Sequence, residues 1–542
     1  MSFLLLVFAC GPKQAQVEST PQPASSSVVQ NIDEYLTVLT ENNRLQGSFA
    51  ITKNGTPVFT QAYGHLDQAK QIRANTQSMY HIGSISKSFT ATMILQLVDE
   101  EKITLDQTID TWFPSVKNAE QITIKHLLRH ESGIVNITED PTYMNWMNDP
   151  IAQEDMLAKI AAYPSLFEPG SNSRYSNTNY VLLGYIVERI DDRSLSESLS
   201  VRIAQPIKAS STSIGDTIET DQNEADSFRY EGDWVSHPHT DMSIPGGAGA
   251  VVSTPTELCL FADALFGGSL ISENALTVMT SFEDGRGAGM FQAEINGVKY
   301  NTHNGAIDGF RSNLMYQPED KTCIAYTLNA FNYMPKALTE SLVKTSKGEA
   351  VEIPSFETVE VNEDTLKTYV GVYKSPQMPL EITIDLQDGI LKAQASGQQP
   401  FPLTPRPNQV FAFEPAGVEM HFSSTEDGEP QFSFHQAGQS FKYNLKDLSE
   451  EPEVKYDTSQ LEALVGLYST DQMPLKIKIE LNDGNLQAQA DGQSPFPLTA
   501  RPNGVFVFDM AGIEMHFTST EEGLQPEFLM KQGPNSFEYK RE

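Results

Sequence analysis

The 542-residue sequence predicts an α+β domain, helices around an antiparallel sheet, followed by two antiparallel eight-stranded β-barrels. Three observations carry this. Two strand-like runs joined by a tight turn precede several strongly apolar helical segments, and more strand-like runs follow them, as expected of helices laid on an antiparallel sheet. The C-terminal region then repeats itself: from 370 to 424, 36 of 55 positions are identical at an offset of 95. Finally, each copy alternates apolar and polar residues in about eight short runs, with turns such as Asp388-Gly389 and no helix, which suits a small closed barrel.

In chain order, Phe3 to Ala9 is an apolar run of seven, too short to span a bilayer. It ends in Val7-Phe8-Ala9-Cys10. This is similar to the lipobox of a lipoprotein signal segment (residues 1–10), although Phe8 is bulky for its place and no basic residue precedes the run. Residues 11–30 are rich in Pro, Ser, Gln and Ala and read as a flexible tether. Asn31 to Leu45 reads as a helix, and Gly47–Thr52 and Val58–Tyr63 as strands joined by Lys53-Asn54-Gly55-Thr56. Helices are expected over 122–129, 181–190 and 255–266, the last capped by Ser253 or Thr254. Strands are expected over 298–303, 311–317 and 322–328. The first domain then spans 31–347, and 348–365 is an acidic linker. The barrel repeats occupy 366–447 and 460–542, with a linker at 448–459.

The net charge of −34 and pI of about 4.6 argue against nucleic acid as a partner, which requires a basic patch. Three cysteines make no disulfide framework. Cys259 and Cys323 lie in apolar runs and read as buried thiols, with a bridge between them possible.

One stretch carries chemistry by itself. Gly83-Ser84-Ile85-Ser86-Lys87 opens a helix whose apolar row is Phe89, Met93, Leu97 and Val98. Residues i and i+3 share a helix face, so Lys87 projects beside Ser84. A helix N-terminus offers free N–H groups to a developing oxyanion. Serine, amine and oxyanion site together make a candidate activated nucleophile. Two further stretches add groups: Tyr175-Ser176-Asn177, on a loop before an apolar helix, and His303-Asn304-Gly305 at the end of a strand, followed by Ala306. Glycine at 305 lets backbone approach a ligand closely.

In this order the three stretches resemble the serine β-lactamase and penicillin-binding-protein superfamily, whose pattern is Ser-x-x-Lys, Tyr-x-Asn, then Lys-Thr-Gly or His-x-Gly. Ile122 to Gly133 and Gly246-Gly247-Ala248-Gly249 agree with the class C-like branch. His303-Asn304-Gly305 is similar to D-aminopeptidases, as is a catalytic domain followed by two lipocalin-like barrels. The resemblance implies that Ser84 is the nucleophile of an acyl-enzyme and that Lys87 and Tyr175 share the base role. It implies an oxyanion hole from the N–H groups of Ser84 and Ala306. Asn177, His303, Asn304 and Gly305 would contact substrate, with His303 lining the pocket near Tyr175. A neutral imidazole there suits a substrate carboxylate less well than lysine, which counts against β-lactams. No cofactor and no metal are implied.

His126 and His130 read as shaping their loop. His237, His239 and Asp241 read as a rim loop that contacts substrate rather than a metal site. Arg406-Pro407-Asn408 and Arg501-Pro502-Asn503 read as turns. Gly-x-Ser-x-Gly and His-Glu-x-x-His are absent from the sequence, which removes the α/β-hydrolase and zincin readings. The expectation is a bacterial-envelope serine hydrolase, lipid-anchored at Cys10, acting on small peptides, amides or esters, D-aminopeptidase-like. The alternatives are a D,D-carboxypeptidase or β-lactamase, and a non-turnover penicillin-binding or ligand-binding envelope protein.

Overall fold

The strand pair near the N-terminus and the strands that close the first unit join in one six-stranded antiparallel sheet. Its order is Phe291–Ile295, Val298–Ile307, Phe310–Gln317, Thr322–Phe331, Leu45–Lys53, Thr56–Tyr63. This is a computed structural model, and its described residues are 26–446 and 456–542, other than 379, 426, 437–438, 473–474, 483, 491–494, 509–512, 521–522 and 533–534. Cys10, most of the tether and most of the 448–459 linker lie outside them. Two units divide the chain, Met1–Pro354 and Ser355–Glu542.

In the first unit, Leu45–Lys53 and Thr322–Phe331 pair from Leu45↔Phe331 to Lys53↔Thr322. Both are buried on both faces almost throughout. That explains why Thr322–Phe331 reads as a continuous apolar run and extends past the expected Leu328. Asn54 and Gly55 take φ of 49° and 70°, the conformation of a tight hairpin turn. The helix Pro255–Phe266, capped by Thr254, packs on these two strands. Helices Ser26–Glu41 and Pro335–Ser346 pack on each other and on other parts of the sheet. The first of these starts earlier than expected, at Ser26. The helix expected over 122–129 is only Ile124–Leu128.

The helix Ser86–Asp99 runs through the core. It is not one-sided, as its apolar row suggested: every residue from Ser86 to Leu95 is buried. Its polar side chains are satisfied by neighbouring loops. Ser86 Oγ accepts from Val251 N–H at 3.0 Å, Ser88 donates to Gly289 O at 2.7 Å and Thr90 donates to Gly247 O at 2.7 Å. Cys259 and Cys323 are buried free thiols, and burial pushes the Cys323 thiol up.

In the second unit, each repeat forms nine hydrogen-bonded segments, in the order 401–402, 390–395, 382–387, 371–374, 439–445, 430–436, 418–424, 410–413, 404–406 for the first copy. The two end segments are separated only by Leu403, whose N–H still donates to Leu391 O at 2.8 Å. Taken as one strand bent at Leu403, they close an eight-stranded barrel. Leu498 makes the same bend in the second copy. The sequence reading omitted one feature, a single helical turn before each barrel, Glu363–Lys367 and Thr458–Glu462. Five residues are too few for a helical period to register, yet Leu366 and Leu461 enter the barrel cores. Asn408 and Asn503 have φ of 62° and 63°, as turns at these positions require.

Both barrels are filled with aromatic rings. Phe432 meets Tyr373, Phe422 and Tyr443 at 4.9, 5.1 and 5.1 Å. Phe528 meets Tyr468, Phe517 and Tyr539 at 5.1, 4.9 and 5.2 Å. Phe528→Ala removes the hub of such a cluster and should cost about 3–5 kcal/mol. All three tryptophans, Trp112, Trp146 and Trp234, belong to the first unit. Chemical denaturation followed by far-UV circular dichroism should therefore show a phase outside the tryptophan signal moving to lower denaturant.

Candidate active site

Ser84 sits on a turn pressed between two strands. Tyr80–His81 pairs with Val251–Ser253, and the chain then turns through Gly83–Ile85 into the buried helix. Gly83 has φ of +51°, and a Cβ there would lie 2.9 Å from Ala306 N. A Cβ on Gly305 would lie 1.9 Å from Ile82 O, and Ser312 Oγ donates to that same carbonyl at 2.7 Å. Glycine at 305 is thus explained by contact with the turn that carries Ser84.

Three groups converge around Ser84 Oγ. Lys87 Nζ is 3.0 Å away and Tyr175 O–H donates to Oγ at 2.8 Å. Lys87 Nζ also donates to Asn177 Oδ1 and to Ala248 O, both at 2.7 Å. The Lys87 side chain is fully buried, and burial holds its pKa well below the ordinary 10.5. Burial pushes the Tyr175 phenol up to about 12, with the Ser84 hydrogen bond opposing. Asn177 opens the helix Asn177–Asp191, which starts four residues before the expected 181. Its side-chain amide donates to Asn136 Oδ1 at 3.1 Å, which fixes Oδ1 toward Lys87.

Ala306 is set by a two-residue hairpin loop. Ile307 and Phe310 flank it, so the next pair, Ala306↔Arg311, is the non-hydrogen-bonded one. The Ala306 N–H then faces away from Phe310–Gln317, toward Gly83 and Ser84.

A cavity of about 290 Å³ opens in front of Ser84. Asn177 and Ala306 line it, with an apolar wall that includes Ile137, Tyr143 and Met147. His303 and Asn304 are not among its lining residues. His303 is 2% exposed and lies behind the site, where Lys87 and burial take its imidazole to about 3. Its Nδ1–H donates to Asn304 O at 2.7 Å, so the buried, unpartnered Nε2 carries a lone pair. The 234–241 loop does reach the cavity, through His237 and Thr240. No group among the described residues has the makings of a metal site.

His130 holds the loop that carries Tyr175. Its carbonyl accepts from Arg174 N–H at 2.9 Å and its Nδ1 from Ser176 N–H at 3.2 Å, on either side of Tyr175. Its ring lies 4.5 Å from the Tyr175 ring. Burial, then Lys87, keeps this imidazole well below its usual pKa, so Nδ1 stays an acceptor. His130 takes φ of +61°, which no sequence period signals. His126 completes a capping box with Thr123, a loop-shaping role.

Residues 28–344 match the family Beta-lactamase. The chain belongs to this family. A putative penicillin-binding protein of Bacillus subtilis, PbpX, is 27% identical over 234 residues, which is 43% of this chain and 58% of that one. Teichoic acid D-alanine hydrolase of Staphylococcus aureus is 26% identical over 228 residues, 42% of this chain and 55% of that one. The chain thus spans little more than half the length of the curated relatives it matches. Among solved structures, D-amino acid amidase of Ochrobactrum anthropi SV3, in complex with L-phenylalanine, superposes with a TM-score of 0.51 at 25% identity, covering 59% of this chain and 98% of that one. The beta-lactamase match covers Ser84, Lys87, Tyr175 and Asn177, and also His130 and Ala306.

The His130 contacts predict a separable effect. His130→Phe keeps a ring but removes the Nδ1 acceptor, and it should lower kcat on any turned-over ester about tenfold or more with little change in KM. His130→Asn tolerates the left-handed backbone and restores an acceptor, so it should recover much of the loss. Steady-state kinetics beside a melting curve check this.

Proposed function

We propose that the chain is a serine hydrolase that forms an acyl-enzyme on Ser84 and acts on small amide, peptide or ester substrates. The observation that carries it is the pairing of Ser84 Oγ with both Lys87 Nζ and Tyr175 O–H, at 3.0 and 2.8 Å. A neutral Lys87 amine has two N–H bonds, and Asn177 Oδ1 and Ala248 O take both. Its lone pair then faces Ser84, whose hydroxyl donates to it. On attack, the Ser84 proton passes to Nζ while Oγ bonds to the acyl carbon. The oxyanion is met by the N–H groups of Ser84 and Ala306, and each such donor is worth roughly a hundredfold or more. Collapse returns the proton to the leaving amine or alkoxide. Water repeats the cycle on the acyl ester. The upward shift of Tyr175 favours a neutral phenol that donates to Oγ, and so assigns the base role to Lys87.

The finer reading is a D-aminoacyl hydrolase. The relatives named for D-alanine and D-amino acid chemistry support it. So does His303, whose remaining ring nitrogen offers a lone pair and no donor to a substrate carboxylate. That weighs against β-lactams and D,D-carboxypeptidase substrates. Filled cores in both barrels support a structural role for them over ligand carriage. An envelope location with a lipid anchor at Cys10 belongs to the same proposal. No helix among the described residues is long and apolar enough to cross a membrane.

Labelling by a fluorophosphonate probe should vanish in Ser84→Ala, and undiminished labelling would refute the mechanism. The pH profile is a second check. Lys87 must be neutral to act, so kcat/KM should be low in acid and rise as Lys87 loses its proton, at a pH well below 10.5. No fall is expected until Tyr175 ionises near 12. Lys87→Ala should lose roughly 10²–10⁴-fold in acylation rate.

A further inference from the structure

One part of the cavity wall plays no role in the acyl transfer described above. Among its lining residues Asp308 is the only Asp, Glu, Lys or Arg. Its carboxylate is fixed in place: Oδ2 accepts from Thr240 N–H at 3.0 Å and Oδ1 from the Thr240 hydroxyl at 2.7 Å. Among the described residues it makes no ion pair. The neighbouring Arg311 guanidinium turns instead to the backbone carbonyls of Asp308 and Phe310, at 3.2 and 2.6 Å. His239 is committed elsewhere, to Asp226 Oδ1 at 2.7 Å. Asp308 also borders a second pocket of about 160 Å³, which adds Asp216 and Asp241. A carboxylate held in a concave wall without a cation is a ready site for a positive group.

Another group on the wall presents an acceptor too. His237 donates its Nδ1–H to Pro238 O at 2.8 Å, which leaves a lone pair on Nε2. Acceptors so placed are matched by a ligand rich in donors, and a primary ammonium has three.

The position along the chain sets the scale. Asp308 follows Ala306 by two residues, a span of about 6–7 Å in extended chain. An amine one carbon from the acyl carbon, with a hydrogen bond added, covers a comparable distance. We propose that Asp308, oriented by Thr240, binds a protonated primary amine carried on the acyl group of the substrate, so that aminoacyl groups are selected over plain acyl groups. This rests on Ser84 being the acylated nucleophile.

The test compares substrates within each variant, so that the fraction of active protein cancels. The full chain is assayed on D-alanyl, L-alanyl and propionyl p-nitroanilides, the last lacking only the amine. The wild type should prefer an alanyl substrate to the propionyl one by at least tenfold in kcat/KM. Asp308→Asn should bring that ratio close to one, and Asp308→Glu should restore part of it. Thr240→Val, which removes one of the two bonds to the carboxylate, should lower it severalfold. A ratio that Asp308→Asn leaves unchanged overturns the proposal, as does a wild type with no preference. Calorimetry on Ser84→Ala separates this proposal from the hydrolase reading. D- or L-alaninamide should bind at least tenfold tighter than propionamide, and Asp308→Asn in that background should abolish the difference. Amine-selective, Asp308-dependent binding without turnover would sustain Asp308 and overturn the hydrolase. Turnover without amine selectivity would do the reverse.

Discussion

The amine of Lys87 is the constraint on which the rest of the site depends. Burying an ammonium costs several kcal/mol even after relaxation, so the fold has to shield this group in its neutral form or surround it with acceptors. It does both. The acceptors come from remote parts of the chain, Asn177 at 90 residues and Ala248 at 161 residues from Lys87. Each is held in turn: Asn177 by Asn136, and the Gly246–Ala248 turn by Thr90 of the same helix. Removing any of these supports loosens a group whose only alternatives are protonation or an unsatisfied hydrogen bond.

Close backbone approach is the second constraint. The strand that carries Ala306 can touch the turn that carries Ser84 only because residues 83 and 305 have no Cβ. The same hairpin turns the Ala306 N–H outward by its register and brings Asp308 to the cavity rim. Nucleophile, oxyanion donor and carboxylate are therefore spaced by backbone, which is stiffer than side-chain packing.

How much of this was legible in the sequence depended on how local the cause was. Ser84 and Lys87 are one helical turn apart, so their adjacency follows from spacing alone. The duplication is visible as identity at a fixed offset, and eight strands per copy follow from alternation. The pairing of Leu45–Lys53 with Thr322–Phe331 has no local signal, because nothing within either strand names its partner. His130 was read as shaping a loop, which is accurate but incomplete: its grip on Tyr175 depends on a left-handed backbone and on a fold that brings residues 130 and 175 together. His303 was expected on the pocket wall, whereas strand alternation turns its ring inward behind Lys87. Asp308 and Thr240 belong to no motif, and their meeting is a matter of tertiary structure.

The bend at Leu403 bears on how the chain is made. Phe401–Asn408 and Phe496–Asn503 differ at one position, Pro405 against Ala500. Each supplies the strand that shuts its own barrel, through a short two-residue ladder on one side. Either segment is therefore chemically fit to shut the other barrel. Synthesis from the N-terminus answers this hazard by timing: a first copy that closes before the second leaves the ribosome has no competing strand to accept. In refolding from denaturant both copies are present from the start, and that protection is lost.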